Sequence, residues 1–169
     1  MTPALKTQIF LNHIMENIII SVDVNRIYTG TFEQDPPADP LELEIYFNDG
    51  KIFEFDKSLK QLNFRKEITN LPDDLACSLR FVMNNKTYDH TKVDEEGSII
   101  GDCRIAISNV TFDDIALGHA LIENSDYLHS KNASDGQIEK DKFYGEMGCN
   151  GTVELKFTTP IYLWLLEHL

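Results

Sequence analysis

The sequence predicts a mainly β protein, a single-domain antiparallel β-sandwich or barrel with an N-terminal helix and a short C-terminal helix. Apolar and polar residues alternate along most of the chain, the period of a strand with one buried face. Asp-Gly, Asn-Asn and Asp-Asp pairs break that alternation where hairpins would turn. The regularly interspersed helices of a parallel α/β fold are missing. At 169 residues the chain fits one domain with a self-sufficient core, and its 42% hydrophobic and 25% charged residues suit a packed globule. The expected layout is a helix over residues 1–17, a β core over 18–158 and a helical tail over 159–169.

Thr2-Pro3 is a helix-start signal, and Leu11, Ile14, Met15 and Ile18 share one helical face, so the first helix is expected to reach Asn17. From there Ile18, Ile20, Val22 and Val24 alternate with polar residues as a strand. Glu33 to Pro40, with three prolines and three acids, is a surface loop. Leu41, Leu43, Ile45 and Phe47 then alternate up to Asp49-Gly50, and Ile52 to Phe55 return antiparallel. Leu62, Phe64 and Ile68 keep strand parity over residues 62–69, against a competing helix capped by Asp56. Cys77, Leu79, Phe81 and Met83 line another strand, and Asn84-Asn85 is expected to turn a second hairpin into Lys86–Tyr88. Asp94–Gly97 is a further turn before Ile99, Cys103, Ile105 and Ile107. At Thr111–Ile122 a hairpin turned by Asp113-Asp114 is preferred over a helix opened by a Thr111/Asp114 capping box. Gly145, Gly148 and Gly151 puncture a turn before the strand Thr152–Thr158. Thr159-Pro160 then opens a short helix presenting Ile161, Trp164 and Leu165 to a sheet that carries Val153, Leu155 and Phe157.

A formal charge of −13 repels phosphate backbones and anionic headgroups, so direct nucleic-acid and membrane binding are disfavoured. No apolar run approaches the ~18 residues of a membrane span, and the first residues lack the features of a secretory signal. The expected location is therefore cytoplasmic or virion-associated. Cys77, Cys103 and Cys149 are odd in number and lack metal-ligand spacing, so free thiols are expected.

The glycines of residues 145–151 lack the Lys-Ser/Thr of a phosphate loop and precede a strand, which favours a turn or a close backbone approach. Acidic loops could supply calcium's six to eight oxygens. Asp135, Glu139 and Asp141 form the best local cluster for a metal, although solvated turn chemistry explains such loops more often; beyond calcium no cofactor is expected. His119 with Glu123 and Asp89 with His90 are the pairs nearest to acid–base chemistry, yet no hydrolase or zinc motif surrounds them, and the chain leans away from an enzyme. Asn85, Asn109, Asn132 and Asn150 head glycosylation triplets that matter only on export. Tyr162 and Trp164 are candidate anchors of an interface or of the core.

The leading functional expectation is a non-catalytic acidic β-sandwich interaction protein, a viral or phage structural or accessory subunit with a protein partner and room for homo-oligomerisation. One alternative is a carbohydrate-binding module, with or without calcium. Another is an acidic inhibitor that mimics nucleic acid.

Overall fold

The computed structural model describes residues 15–130 and 136–169. In chain order the strands are β1 (Met15–Gly30), β2 (Glu44–Phe47), β3 (Gly50–Glu54), β4 (Gln61–Pro72), β5 (Ala76–Met83), β6 (Thr91–Val93), β7 (Ile99–Phe112), β8 (Ile115–Ala116), β9 (Ser125–Ser130), β10 (Ile138–Lys142), β11 (Glu146–Met147) and β12 (Gly151–Thr158). Among the described residues two α-helices accompany them, α1 (His119–Asn124) and α2 (Ile161–His168). The strands form two antiparallel sheets, sandwich-like in arrangement. One has the order β11-β7-β1-β4, with β6 and β8 also pairing with β7; the other runs β10-β9-β12-β5-β2-β3.

Alternation decides which face each strand buries. In β1 Ile18, Ile20, Val22 and Val24 are buried, and in β12 Val153, Leu155 and Phe157 are. The two inner faces meet through aromatic side chains: Phe112 of β7 lies 4.8 Å from Phe157 of β12, and Phe53 of β3 lies 4.7 Å from Phe64 of β4. Edge-tilted rings at such separations add a specific attraction to the area they bury. Along β7, β1 covers one edge while β6, β11 and β8 pair with successive parts of the other.

Several local expectations hold in detail. β4 replaces the competing helix because Asp56 turns its carboxylate onto the Ser58 N–H at 2.8 Å, closing a tight turn instead of capping a helix. The first hairpin forms, but its two loop residues are Asn48 and Asp49. Asn48 takes the left-handed φ of 51° and its side chain accepts the Ser78 N–H at 2.8 Å, tying the turn to β5. At residues 111–124 the preferred hairpin forms, while the Thr111/Asp114 capping box does not: Thr111 is in β7 and the short helix begins only at His119. Asp113 and Asp114, with φ of 49° and 64°, turn the β7–β8 hairpin, and α1 follows after Gly118.

Three expectations are corrected. The N-terminal helix falls largely on residues 1–14, outside those described; its final turn, Met15 to Asn17, is strand, because Met15 and Glu16 pair with Pro72 and Leu71 of β4. Asn84-Asn85 does not turn a hairpin. Asn85 accepts the Glu42 N–H at 2.7 Å and donates to the Pro40 carbonyl at 3.0 Å, so the chain leaves β5, passes a short 3-10 turn and enters β6 in the opposite sheet. Finally, Thr159 does not cap α2. Its hydroxyl donates to the Pro72 carbonyl at 2.6 Å and accepts the Leu75 N–H at 2.8 Å, while the helix start is served by Glu16, whose carboxylate accepts the Ile161 N–H at 2.9 Å. A cap from a strand at the far end of the chain satisfies an orphan donor and places negative charge at the positive end of the helix dipole.

α2 thereby seals one end of the sandwich. Ile161, Trp164 and Leu165 are buried; the Trp164 ring lies 6.4 Å from Phe112 of one sheet and 6.1 Å from Phe157 of the other. His168 stacks on Trp164 at 4.4 Å and bonds the Trp164 carbonyl at 2.7 Å.

Candidate interaction surface

The side chains nearest to acid–base chemistry are mostly committed to structure. His90 is buried with both ring nitrogens occupied: Nδ1 accepts the Thr87 N–H at 3.0 Å and Nε2 faces the Asp39 carbonyl at 2.7 Å, a pattern that fits the neutral Nε2–H tautomer. Asp89 is exposed and is not its partner. His119 and Glu123 do share a face of α1, 3.3 Å apart, but at 80% exposure the histidine side chain stands in open solvent. His129, which sequence reasoning did not single out, is buried and bonds Asp141 at 2.8 Å, with its Nδ1 unpartnered. Of the three metal candidates, Asp135 lies outside the described residues. Glu139 and Asp141 project from alternate positions of β10 opposite His129 and Tyr127. Among the described residues no group of three or more His, Cys, Asp or Glu could hold a metal ion.

The glycine-rich stretch is a packing device. A Cβ on Gly151 would lie 2.2 Å from the Leu128 carbonyl oxygen, and Gly145 has φ of +97°. The turn between them is pinned by Tyr127, whose hydroxyl donates to the Cys149 carbonyl at 2.5 Å and accepts its N–H at 3.1 Å; burial pushes the phenol up to about 12. Asn150 grips Lys86 through two bonds of 2.8 Å. Asn150 and Asn85, two of the glycosylation candidates, thus spend their amides on the backbone. Lys86 in turn meets Asp102 at 2.6 Å, within a cluster joined by Thr91, Arg104 and Glu146. Arg26 is a buried cation whose guanidinium bonds the Leu41, Asp56 and Leu59 carbonyls and lies 4.0 Å over Phe55. Burial pushes its pKa down.

One feature without an internal role among the described residues is the outer side of α2. Tyr162, Leu163, Leu166 and Leu169 are 56%, 47%, 79% and 63% exposed, and Met15, next to the capping Glu16, is 55% exposed. Trp164, by contrast, is only 5% exposed. The signal for this face was present in the sequence: the tail is apolar at nearly every position, more than the single stripe a sheet can cover. Beside the helix start lie three carboxylates. Burial raises the pKa of Glu16, the Ile161 N–H opposes that rise, and the nearby Asp113 and Asp73 carboxylates add to it. Asp113 lies in the field of Arg65, which pairs with the adjacent Asp114 at 2.6 Å, while no ion pair to Glu16 or Asp73 is formed among the described residues. Exposed Glu167 adds a further negative charge to the helix.

No family model, curated protein or solved structure matches this chain. Function has to be argued from the surfaces themselves. Among the described residues no helix is long and apolar enough to cross a membrane.

Proposed function

We propose that the protein is an acidic β-sandwich interaction module that docks a basic amphipathic segment of a partner protein on the outer face of α2. The observation that carries this reading is the set of four large exposed apolar side chains of the α2 segment, Tyr162, Leu163, Leu166 and Leu169, at helical spacing. Contiguous apolar surface on a soluble domain usually marks a contact site. The flanking Glu16, Asp73, Asp113 and Glu167 select the partner's charge, since an acidic rim steers a basic segment and repels an acidic one. An apolar centre with a charged rim is also the usual anatomy of a protein interface.

The nucleic-acid-mimic alternative has less to stand on, because the outward rows of the second sheet pair acids with cations: Lys51 with Glu44, Lys140 with Asp126, Lys156 with Glu154. Such rows do not line up carboxylates as phosphates line up on a duplex.

The test uses two synthetic fluorescein-labelled amphipathic helices, each with Leu at positions i, i+3, i+4 and i+7, one with Lys and one with Glu on the polar face, titrated with the full chain and read by anisotropy. The basic helix should bind with an affinity that falls as salt is added, the acidic helix should not, and Leu163→Glu/Leu166→Glu should weaken binding by about tenfold or more. Equal binding of the two helices, or no effect of the double substitution, would sink the proposal. Light scattering on the same samples identifies a second copy as occupant if a dimer forms and dissociates on that substitution, which would also overturn the basic-segment reading.

A further inference from the structure

The outer face of α2 has a candidate occupant within the same chain. The chain enters β1 beside that helix: Met15 pairs with Pro72, the Pro72 carbonyl accepts the Thr159 hydroxyl at 2.6 Å, and the next residue, Glu16, accepts the Ile161 N–H that opens α2. Residues 1–14 are therefore tethered at the N-terminal end of the exposed face. The eight residues of α2 span about 12 Å, a length that fourteen residues cover in helical and in extended form alike.

The composition of that segment matches the face. It carries Leu5, Ile9, Phe10, Leu11 and Ile14, which suit a surface made by Tyr162, Leu163, Leu166 and Leu169. It contains no Asp or Glu, although the chain as a whole has a formal charge of −13, and Lys6 is its one formally charged side chain. Glu16 and Asp73 at the helix start and Glu167 on the helix provide the opposite sign. Tethering favours this occupant over a free one. A segment held this close meets the face at an effective concentration on the order of 1 mM, so a contact with an intrinsic Kd of about 100 µM is formed about nine-tenths of the time.

We infer that residues 1–14 fold back onto the outer face of α2 of their own chain and cover it. A partner segment must displace them to dock, which weakens its binding about tenfold at that occupancy. The inference rests on the reading of this face as a contact surface and adds its regulation.

The experiment compares the full chain with two variants, Phe10→Ser/Leu11→Ser in the segment and Leu163→Glu/Leu166→Glu on the face. Far-UV circular dichroism checks that each is folded. Trypsin cleavage after Lys6 is followed by mass, with the exposed Lys57 in the β3–β4 loop as the internal reference for general opening. Cleavage after Lys6 should be about tenfold faster in either variant than in the parent, and the Lys-faced fluorescein helix should bind Phe10→Ser/Leu11→Ser about tenfold more tightly than the parent. Equal Lys6 cleavage in all three proteins overturns the inference. Equal binding of the Lys-faced helix by the parent and Phe10→Ser/Leu11→Ser overturns it as well, while leaving the contact-surface reading in place. Protection of Lys6 that depends on Leu163 and Leu166, with no helix bound by any of the three, supports the intramolecular contact and refutes the partner reading alone. Protection found only at concentrations where light scattering shows a dimer assigns the segment to a second copy and overturns the inference.

Discussion

Replacing Trp164 by Ala tests the claim that α2 closes the sandwich. The indole is 5% exposed and meets aromatic rings from both sheets and from His168. A tryptophan buries roughly 150–250 Å², which at ~25 cal/mol/Å² corresponds to about 4–6 kcal/mol as an upper bound. Core truncations of this size cost about 3–5 kcal/mol once partial relaxation is included, so about 4 kcal/mol is expected. For a domain of this length that lowers the unfolding midpoint by about 8–16 °C. Far-UV circular dichroism is the suitable probe, because the substitution removes the only tryptophan and with it the fluorescence signal. Leu166→Ala, on the same helix but 79% exposed, is the matched control and should change stability by no more than about 0.5 kcal/mol. A folded Trp164→Ala variant melting within about 3 °C of the parent would refute the sealing role and make α2 a loosely attached element.

Asp102→Asn should cost about 3–5 kcal/mol, since it leaves the Lys86 ammonium nearly buried without its counter-charge. Burial by itself would raise the Asp102 pKa, but hydrogen bonds from Lys86, Arg104 and Thr91 outweigh that and lower it. The contribution is therefore fully present above the ordinary aspartate value near 3.8 and is lost as pH falls through the lower folded value. Urea titrations from neutral pH downward should accordingly show a shallower acid limb in the variant, and an identical limb would remove Asp102 from the account. Thiol chemistry supplies another test: burial pushes the Cys77 thiol up and the Cys103 thiol up to about 11, so neither should react with a disulfide reagent until the chain unfolds. Rapid modification of more than one thiol in the native protein would contradict the burial of both.

Most strands were legible because alternation is a local signal. Val153, Leu155 and Phe157 share a face whatever they pack against, and Asp113-Asp114 accepts left-handed angles through its own short side chains. The face that α2 would bury was readable for a similar reason, from the spacing of Ile161, Trp164 and Leu165. Sequence reading failed where a side chain finds its partner far along the chain. Asn85 looked like a hairpin residue until Pro40 and Glu42 arrived to occupy its amide. Thr159 looked like a cap until the 72–75 turn claimed its hydroxyl. The polar groups that meet across β4-β1-β7 were not visible, because Asp23, Asn63 and Asn109 come from three different strands; the apolar excess of the tail was readable, but which of its residues stay exposed, Leu166 and not Leu165, is set by direction around the helix.

By itself, then, the sequence determined the mainly β class, the acidic charge and the positions of most strands and turns, since each depends on residues within one strand or one turn of each other. Tertiary structure decided how the strands divide between two sheets, which helix face stays uncovered and which polar groups meet across β4-β1-β7. Those outcomes depend on register and on hydrogen bonds between residues tens of positions apart, up to the bond that ties Glu16 to Ile161. A short-range pattern carries no record of such pairings, because the same alternation is compatible with many strand orders.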